Sequence, residues 1–117
     1  MIYASQNYST AMLEKLVHGG GIMPPQQYFI SITIPDGMLY EMIIGDTHPG
    51  WYEADCRVAK AIGNQWIAER RTAVLIVPSV VARVENNILI NPAHPEAGRI
   101  EASLPRPIWW DARLFAA

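Results

Sequence analysis

The chain has 117 residues, half of them hydrophobic and 17% charged, with a formal net charge of −2. These values imply one domain of ordinary size with ample core material and exclude an intrinsically disordered chain. They also argue against a nucleic-acid surface, because phosphate binding draws on clustered Lys and Arg and the only adjacent basic pair is Arg70-Arg71.

No apolar run reaches the ~18 residues of a membrane span, and the N-terminus has no signal-peptide pattern. The lone Cys56 has no partner for an internal disulfide, which suits a reducing compartment. The expectation is a cytoplasmic domain with no membrane contact.

Along the chain, Met12, Leu13, Leu16 and Val17 share one helical face, so Thr10 to His18 reads as the first helix. Ser9 is the expected N-cap and Gly19 the expected left-handed C-terminal cap. Gly19 to Pro25 reads as a loop. Tyr28 to Ile34 alternates like a strand, and Pro35-Asp36-Gly37 supplies a turn. Met38 to Ile44 is a second strand, and the two are expected to pair as a hairpin. Asp55 to Arg70 reads as one helix or two short ones, interrupted at Gly63. Ala73 to Val77 is a continuous apolar, β-branched run and reads as a buried strand. Further short strands are expected at Ile88 to Ile90, Arg99 to Ser103 and Pro107 to Trp110. The order predicts the α+β class, with a β-sheet core in a compact mixed domain over residues 1–117.

Few residues declare chemistry. His18, His48 and His94 are widely spaced and Cys56 is alone, so no metal site is predicted. The triple glycine Gly19-Gly20-Gly21 follows a helix and lacks the Lys-Ser or Lys-Thr of a phosphate loop, so it reads as a helix terminator. Ser79 in Val77-Pro78-Ser79-Val80-Val81 lacks the flanking glycines of a nucleophile elbow. Glu14 falls at the edge of the apolar face of the first helix. A solvated flank is the commoner reading of such a carboxylate, and projection into a cleft is the other. Asn86 to Pro95 reads as a strand flanked by turns, and Trp109 to Arg113 as a core edge with a solvated ion pair.

An ordered set of motifs carries a resemblance. Tyr3-Ala4-Ser5 and Ala11-Met12-Leu13-Glu14-Lys15-Leu16-Val17-His18 come first. Gly63-Asn64-Gln65-Trp66 follows, then Val77-Pro78-Ser79 with Asn86-Asn87-Ile88-Leu89-Ile90-Asn91-Pro92-Ala93-His94-Pro95, and finally Trp110-Asp111-Ala112-Arg113-Leu114. In that order they resemble the RES-domain family, the toxin components of RES-Xre toxin–antitoxin systems. The resemblance implies a fold like that of ADP-ribosyltransferase toxins, degradation of NAD+ as substrate with no further cofactor, and a neutralising Xre-like antitoxin as partner.

The resemblance also implies three site residues: Glu14 as the family's glutamate, Ser79 as its serine and Tyr3 as its active-site tyrosine. Glu14 would stabilise charge on the ribose, Tyr3 would stack on nicotinamide, and Ser79 would bond the nicotinamide amide or ribose. The family's arginine, expected to pair with the pyrophosphate, lies upstream of the Tyr-Ala-Ser motif and has no match here. The domain is therefore expected to be N-terminally short. Loss of such a clamp is expected to cost ~2–5 kcal/mol in binding. Apolar surface uncovered by a missing segment predicts self-association into a homo-oligomer. Two other readings stand beside NAD+ hydrolysis or phosphorolysis: an inactive domain that only binds its antitoxin, and a protein ADP-ribosyltransferase.

Overall fold

The computed structural model describes residues 1–20 and 22–115. The first strand, β1 (Ile2–Ser5), leads through a short bend into α1 (Tyr8–His18). The helix starts earlier than the Ser9 cap predicts. Asn7 is extended (φ −144°, ψ 164°) and its side chain accepts the Thr10 amide at 2.9 Å, a contact worth ~1 kcal/mol. Ser9 lies inside the first turn. At the other end Gly19 stays right-handed (φ −79°), and Gly20 takes the positive φ of 63°. The expected cap is thus displaced by one residue.

The Tyr28 to Ile34 segment forms two short strands, β2 (Tyr28–Phe29) and β3 (Ile32–Thr33), and it makes no hairpin with the segment after it. The Pro35-Asp36-Gly37 turn does form, with Gly37 at φ 82° and the Met38 amide bonded to Pro35 O. It delivers β4 (Tyr40–Met42) to the main sheet instead. The next elements are α2 (Arg57–Glu69) and β5 (Val74–Pro78), and β4 runs parallel to β5. Parallel neighbours require a crossover, and α2 supplies it. It is one continuous helix through the buried Gly63. A βαβ unit buries both a helix face and a strand, whereas a lone two-stranded ribbon is marginal in water.

β6 (Asn86–Ile90) pairs antiparallel with both β5 and β1, giving a sheet of order β1-β6-β5-β4. The expected buried strand is therefore its centre, which explains the unbroken apolar run. Near the C-terminus, β7 (Glu101–Ala102) pairs with β3 and β8 (Arg106–Pro107) with β2. β7 is shorter than the expected Arg99 to Ser103, and β8 overlaps the expected Pro107 to Trp110 only at Pro107. The Ser31 amide is taken by the Ser103 hydroxyl (2.8 Å), and Pro105 and Pro107 offer no amide, so the ladder is interrupted.

The main sheet has two apolar faces. On one, Leu75, Val77 and Leu89 meet Trp51 and Trp66, with Val58, Ala59 and Ile62 packed alongside. Trp66 donates through its ring nitrogen to Thr72 Oγ1 (3.0 Å), which satisfies the one polar atom it buries. On the other face Val74 joins Met38, Ala73, Ile34, Ile76, Ile88 and Ile100. The fold is α+β, as expected, with two α-helices and three sheets among the described residues. None of its helices is long and apolar enough to cross a membrane.

Candidate active site

Strand register assembles the site. Tyr3 lies opposite Leu89, and Ser5 opposite Asn87; Asn87 in turn lies opposite Val77. Because side chains alternate, Tyr3, Ser5 and Asn87 share one face of the sheet with Leu75, Val77 and Leu89. Ser79 follows the end of β5, and α1 brings Glu14 to the same corner.

Asn87 is 1% exposed and all of its hydrogen-bonding groups on this face are engaged. Its Nδ2 donates to Glu14 Oε1 (2.9 Å) and to the Tyr3 hydroxyl (3.0 Å), while its Oδ1 accepts from Ser5 Oγ (2.8 Å). Ser79 Oγ donates to the same Glu14 Oε1 (2.9 Å) and accepts the Ala82 amide (2.9 Å). One oxygen of Glu14 is thus fixed by two neutral donors. The other, Oε2, faces His18 Nε2 at 3.9 Å, and the His18 side chain is 78% exposed. No Lys or Arg pairs with Glu14 among the described residues. The carboxylate side chain is 15% exposed. It is therefore a held, mostly desolvated negative charge with one oxygen directed outward.

Tyr3 is 59% exposed, yet its hydroxyl end packs against this cluster. Burial of that end, followed by the Glu14 charge and a weaker contribution from Cys56, raises its pKa above the usual value; the Asn87 bond opposes them. Since the hydroxyl oxygen accepts from Asn87, its own proton remains available for donation. In the unfolded chain a tyrosine ionises near pH 10. Above that pH the folded protein holds a proton that the unfolded chain has lost, so this contribution to stability is present below pH 10 and declines as pH rises through the raised value. In an absorbance titration, Tyr3 should ionise later than an unshifted tyrosine, and Glu14→Gln should shorten the delay. A delay unchanged in that variant would refute the coupling.

The three residues singled out in the sequence, Tyr3, Glu14 and Ser79, are therefore brought together. Asn87, Ser5 and His18 complete the cluster and were not singled out. The available signal for Asn87 was an amide at an inward position of a strand, where β propensity disfavours it. His48 and His94 lie elsewhere, with Nδ1 contacts to Ile44 O (3.0 Å) and the Glu96 amide (3.1 Å). No group of three His, Cys, Asp or Glu is disposed to hold a metal among the described residues. Asp111 and Arg113 form the solvated ion pair expected of that segment, at 2.6 Å.

Among the described residues, cavities lie beside the sheet. One of about 290 Å³ is lined by Ile2, Ile30, Ile32, Ile90 and Ile100 among others and contains no ionisable group. By strand alternation it lies on the face opposite Asn87. Another, of about 240 Å³, includes Pro78 and Asn86, the immediate neighbours of Ser79 and Asn87.

An α+β domain with a fixed carboxylate beside a tyrosine at a sheet corner is a scaffold suited to stabilising positive charge on a bound substrate. The RES-domain family model matches residues 1–111, and the chain belongs to that family. It is 39% identical to a protein named Prs ADP-ribosylating toxin from Sphingobium sp. strain YBL2, an alignment covering 98% of this chain and 74% of that protein. It is 30% identical to a protein named Toxin Res from Pseudomonas putida, over 98% of this chain and 79% of the other. A Toxin Res of Yersinia enterocolitica is also 30% identical, over 97% and 76%.

Proposed function

We propose that this protein is the toxin of a toxin–antitoxin pair and breaks the nicotinamide–ribose bond of NAD+ in the cytoplasm, restrained by an Xre-like antitoxin. The observation that carries this reading is the isolated, oriented carboxylate of Glu14 beside the exposed ring of Tyr3.

In the reaction the C1′–N1 bond breaks with its electron pair going to the pyridinium, which leaves as neutral nicotinamide. The ribose acquires oxocarbenium character, and the acceptor oxygen bonds to C1′ and releases its proton. Glu14 stabilises the developing positive charge, and its desolvation strengthens that effect. Its outward oxygen, Oε2, can also bind a ribose hydroxyl or the acceptor. The Tyr3 ring offers a stacking surface for nicotinamide, and its hydroxyl proton is free for the substrate. Ser79 is fully buried, with its hydroxyl engaged by Glu14 and Ala82. We therefore assign Ser79 to orienting Glu14, together with Asn87, in place of the direct contact with the nicotinamide amide or ribose that the family resemblance implied.

The name of the Sphingobium relative favours a second reading, in which a protein side chain accepts the ADP-ribose. NAD+ labelled in the adenosine half, incubated with the protein and cell extract, separates the two. Free nicotinamide with label in small molecules supports hydrolysis or phosphorolysis, and label on a polypeptide supports transfer. Absence of nicotinamide release would overturn both.

A further inference from the structure

Arg83 stands four residues after Ser79, in the turn that the Ser79 hydroxyl caps through the Ala82 amide. Its guanidinium lies 4.4 Å from the centre of the Tyr52 ring. Among the described residues it makes no ion pair and no hydrogen bond, unlike Arg71 and Arg113, which are held by carboxylates. An exposed arginine without a partner ordinarily samples many rotamers, and stacking on an aromatic face restricts it without neutralising its charge.

The stacked pair borders the 240 Å³ cavity lined by Met42, Ile43, Gly45, Asp46, Pro78 and Asn86. This cavity lies just beyond the carboxyl ends of the parallel strands β4 and β5, the position where α/β sheets commonly receive ligands. Its floor depends on Gly45, since a Cβ there would run into the Tyr52 ring and hydroxyl. By alternation the side chains of Pro78 and Asn86 turn to the face opposite Asn87, and the turn from Ser79 to Arg83 joins the cavity to the Glu14 cluster around the end of β5.

We propose that Arg83 is a substrate-binding residue whose guanidinium holds the pyrophosphate of the dinucleotide while its nicotinamide ribose lies at Glu14. This rests on the NAD+ reading of the site and adds where the rest of the substrate lies. A planar guanidinium presents paired donors that match two phosphate oxygens. Its attraction for a pyrophosphate also offsets the repulsion that Glu14 exerts on the same anion. Asp46, on the same cavity wall, repels phosphate and accepts hydrogen bonds, so it suits the adenosine hydroxyls or amino group.

The test is calorimetric binding in the Glu14→Gln background, which holds turnover down, with ADP-ribose and nicotinamide riboside as probes. Only the first carries a pyrophosphate. Arg83→Ala is expected to weaken ADP-ribose binding about ten- to a hundredfold, and Arg83→Lys to recover part of the loss. Nicotinamide riboside should bind all three proteins within about twofold. Equal ADP-ribose affinity with and without Arg83 would overturn the assignment, as would parallel loss of both ligands. If the protein retaining Arg83 failed to bind ADP-ribose while the unmodified chain still released nicotinamide from NAD+, Arg83 would be wrong and the NAD+ reading would survive. Failure of both binding and release would remove both.

Discussion

Glu14→Gln is expected to slow nicotinamide release from NAD+ by about 10²–10³-fold while leaving the fold intact, comparable with removing one preorganised electrostatic group from other active sites. Glutamine keeps the shape of the side chain and a carbonyl oxygen able to accept from both Ser79 Oγ and Asn87 Nδ2. What it removes is the negative charge. The charge has no basic partner among the described residues apart from the exposed His18 at 3.9 Å, so little else can compensate for its loss. The defect should appear mainly in kcat, because the charge interacts most strongly with a ribose that has become positive. Turnover unchanged by Glu14→Gln, measured on protein with an unaltered melting transition, would sink the assignment of this carboxylate.

Asn87→Leu is the second large effect, and it divides between stability and activity. The substitution keeps the number and branching of side-chain heavy atoms but removes the acceptor for Ser5 Oγ and both donors, to Tyr3 and to Glu14. An unsatisfied buried polar group costs about 1–3 kcal/mol. Bonds within one network are not additive, so the loss in urea unfolding should be ~2–3 kcal/mol rather than a sum over three bonds. With only Ser79 holding it, Glu14 gains freedom, and nicotinamide release should fall roughly 10–100-fold. Asn87→Asp makes the sharper control. It retains an acceptor for Ser5 and sets a second carboxylate against Glu14, so one of the two carboxyls should hold its proton to higher pH. The activity of that variant should therefore acquire a pH dependence that Asn87→Leu lacks. Wild-type stability together with wild-type turnover in Asn87→Leu would show that the hub has no such role.

Local features of the fold were readable to the extent that they depend on neighbouring residues. The 3.6-residue spacing of Met12, Leu13, Leu16 and Val17 identified α1, and the run from Ala73 to Val77 identified β5. Cap positions were less accurate, because Asn7 and Ser9 are both good caps and the choice depends on where the chain leaves β1. The hairpin expected between Tyr28–Ile34 and Met38–Ile44 was wrong for a different reason. Alternation shows that a segment is a strand and is silent about which strand it joins; β4 joins β5 in parallel, while β2 and β3 join β8 and β7 from the far end of the chain.

By itself the sequence determined α1, the α2 region and β5 through periodicity, and an ordered set of motifs whose family resemblance pointed to Tyr3, Glu14 and Ser79, since periodicity and motif order are properties of short stretches; β1 was not among the expected elements. Only the tertiary structure decided that Asn87 joins them, that Ser79 faces Glu14 from a fully buried position, and that Arg83 borders the neighbouring cavity on the Tyr52 ring. These contacts within the cluster span 65 to 84 residues of chain. They exist because β6 pairs with β1 and β5 in one register, and a shift of a single residue would turn Asn87 to the opposite face. That register is chosen by burying Leu75, Val77 and Leu89 under α2, a balance of the whole core that no local segment carries.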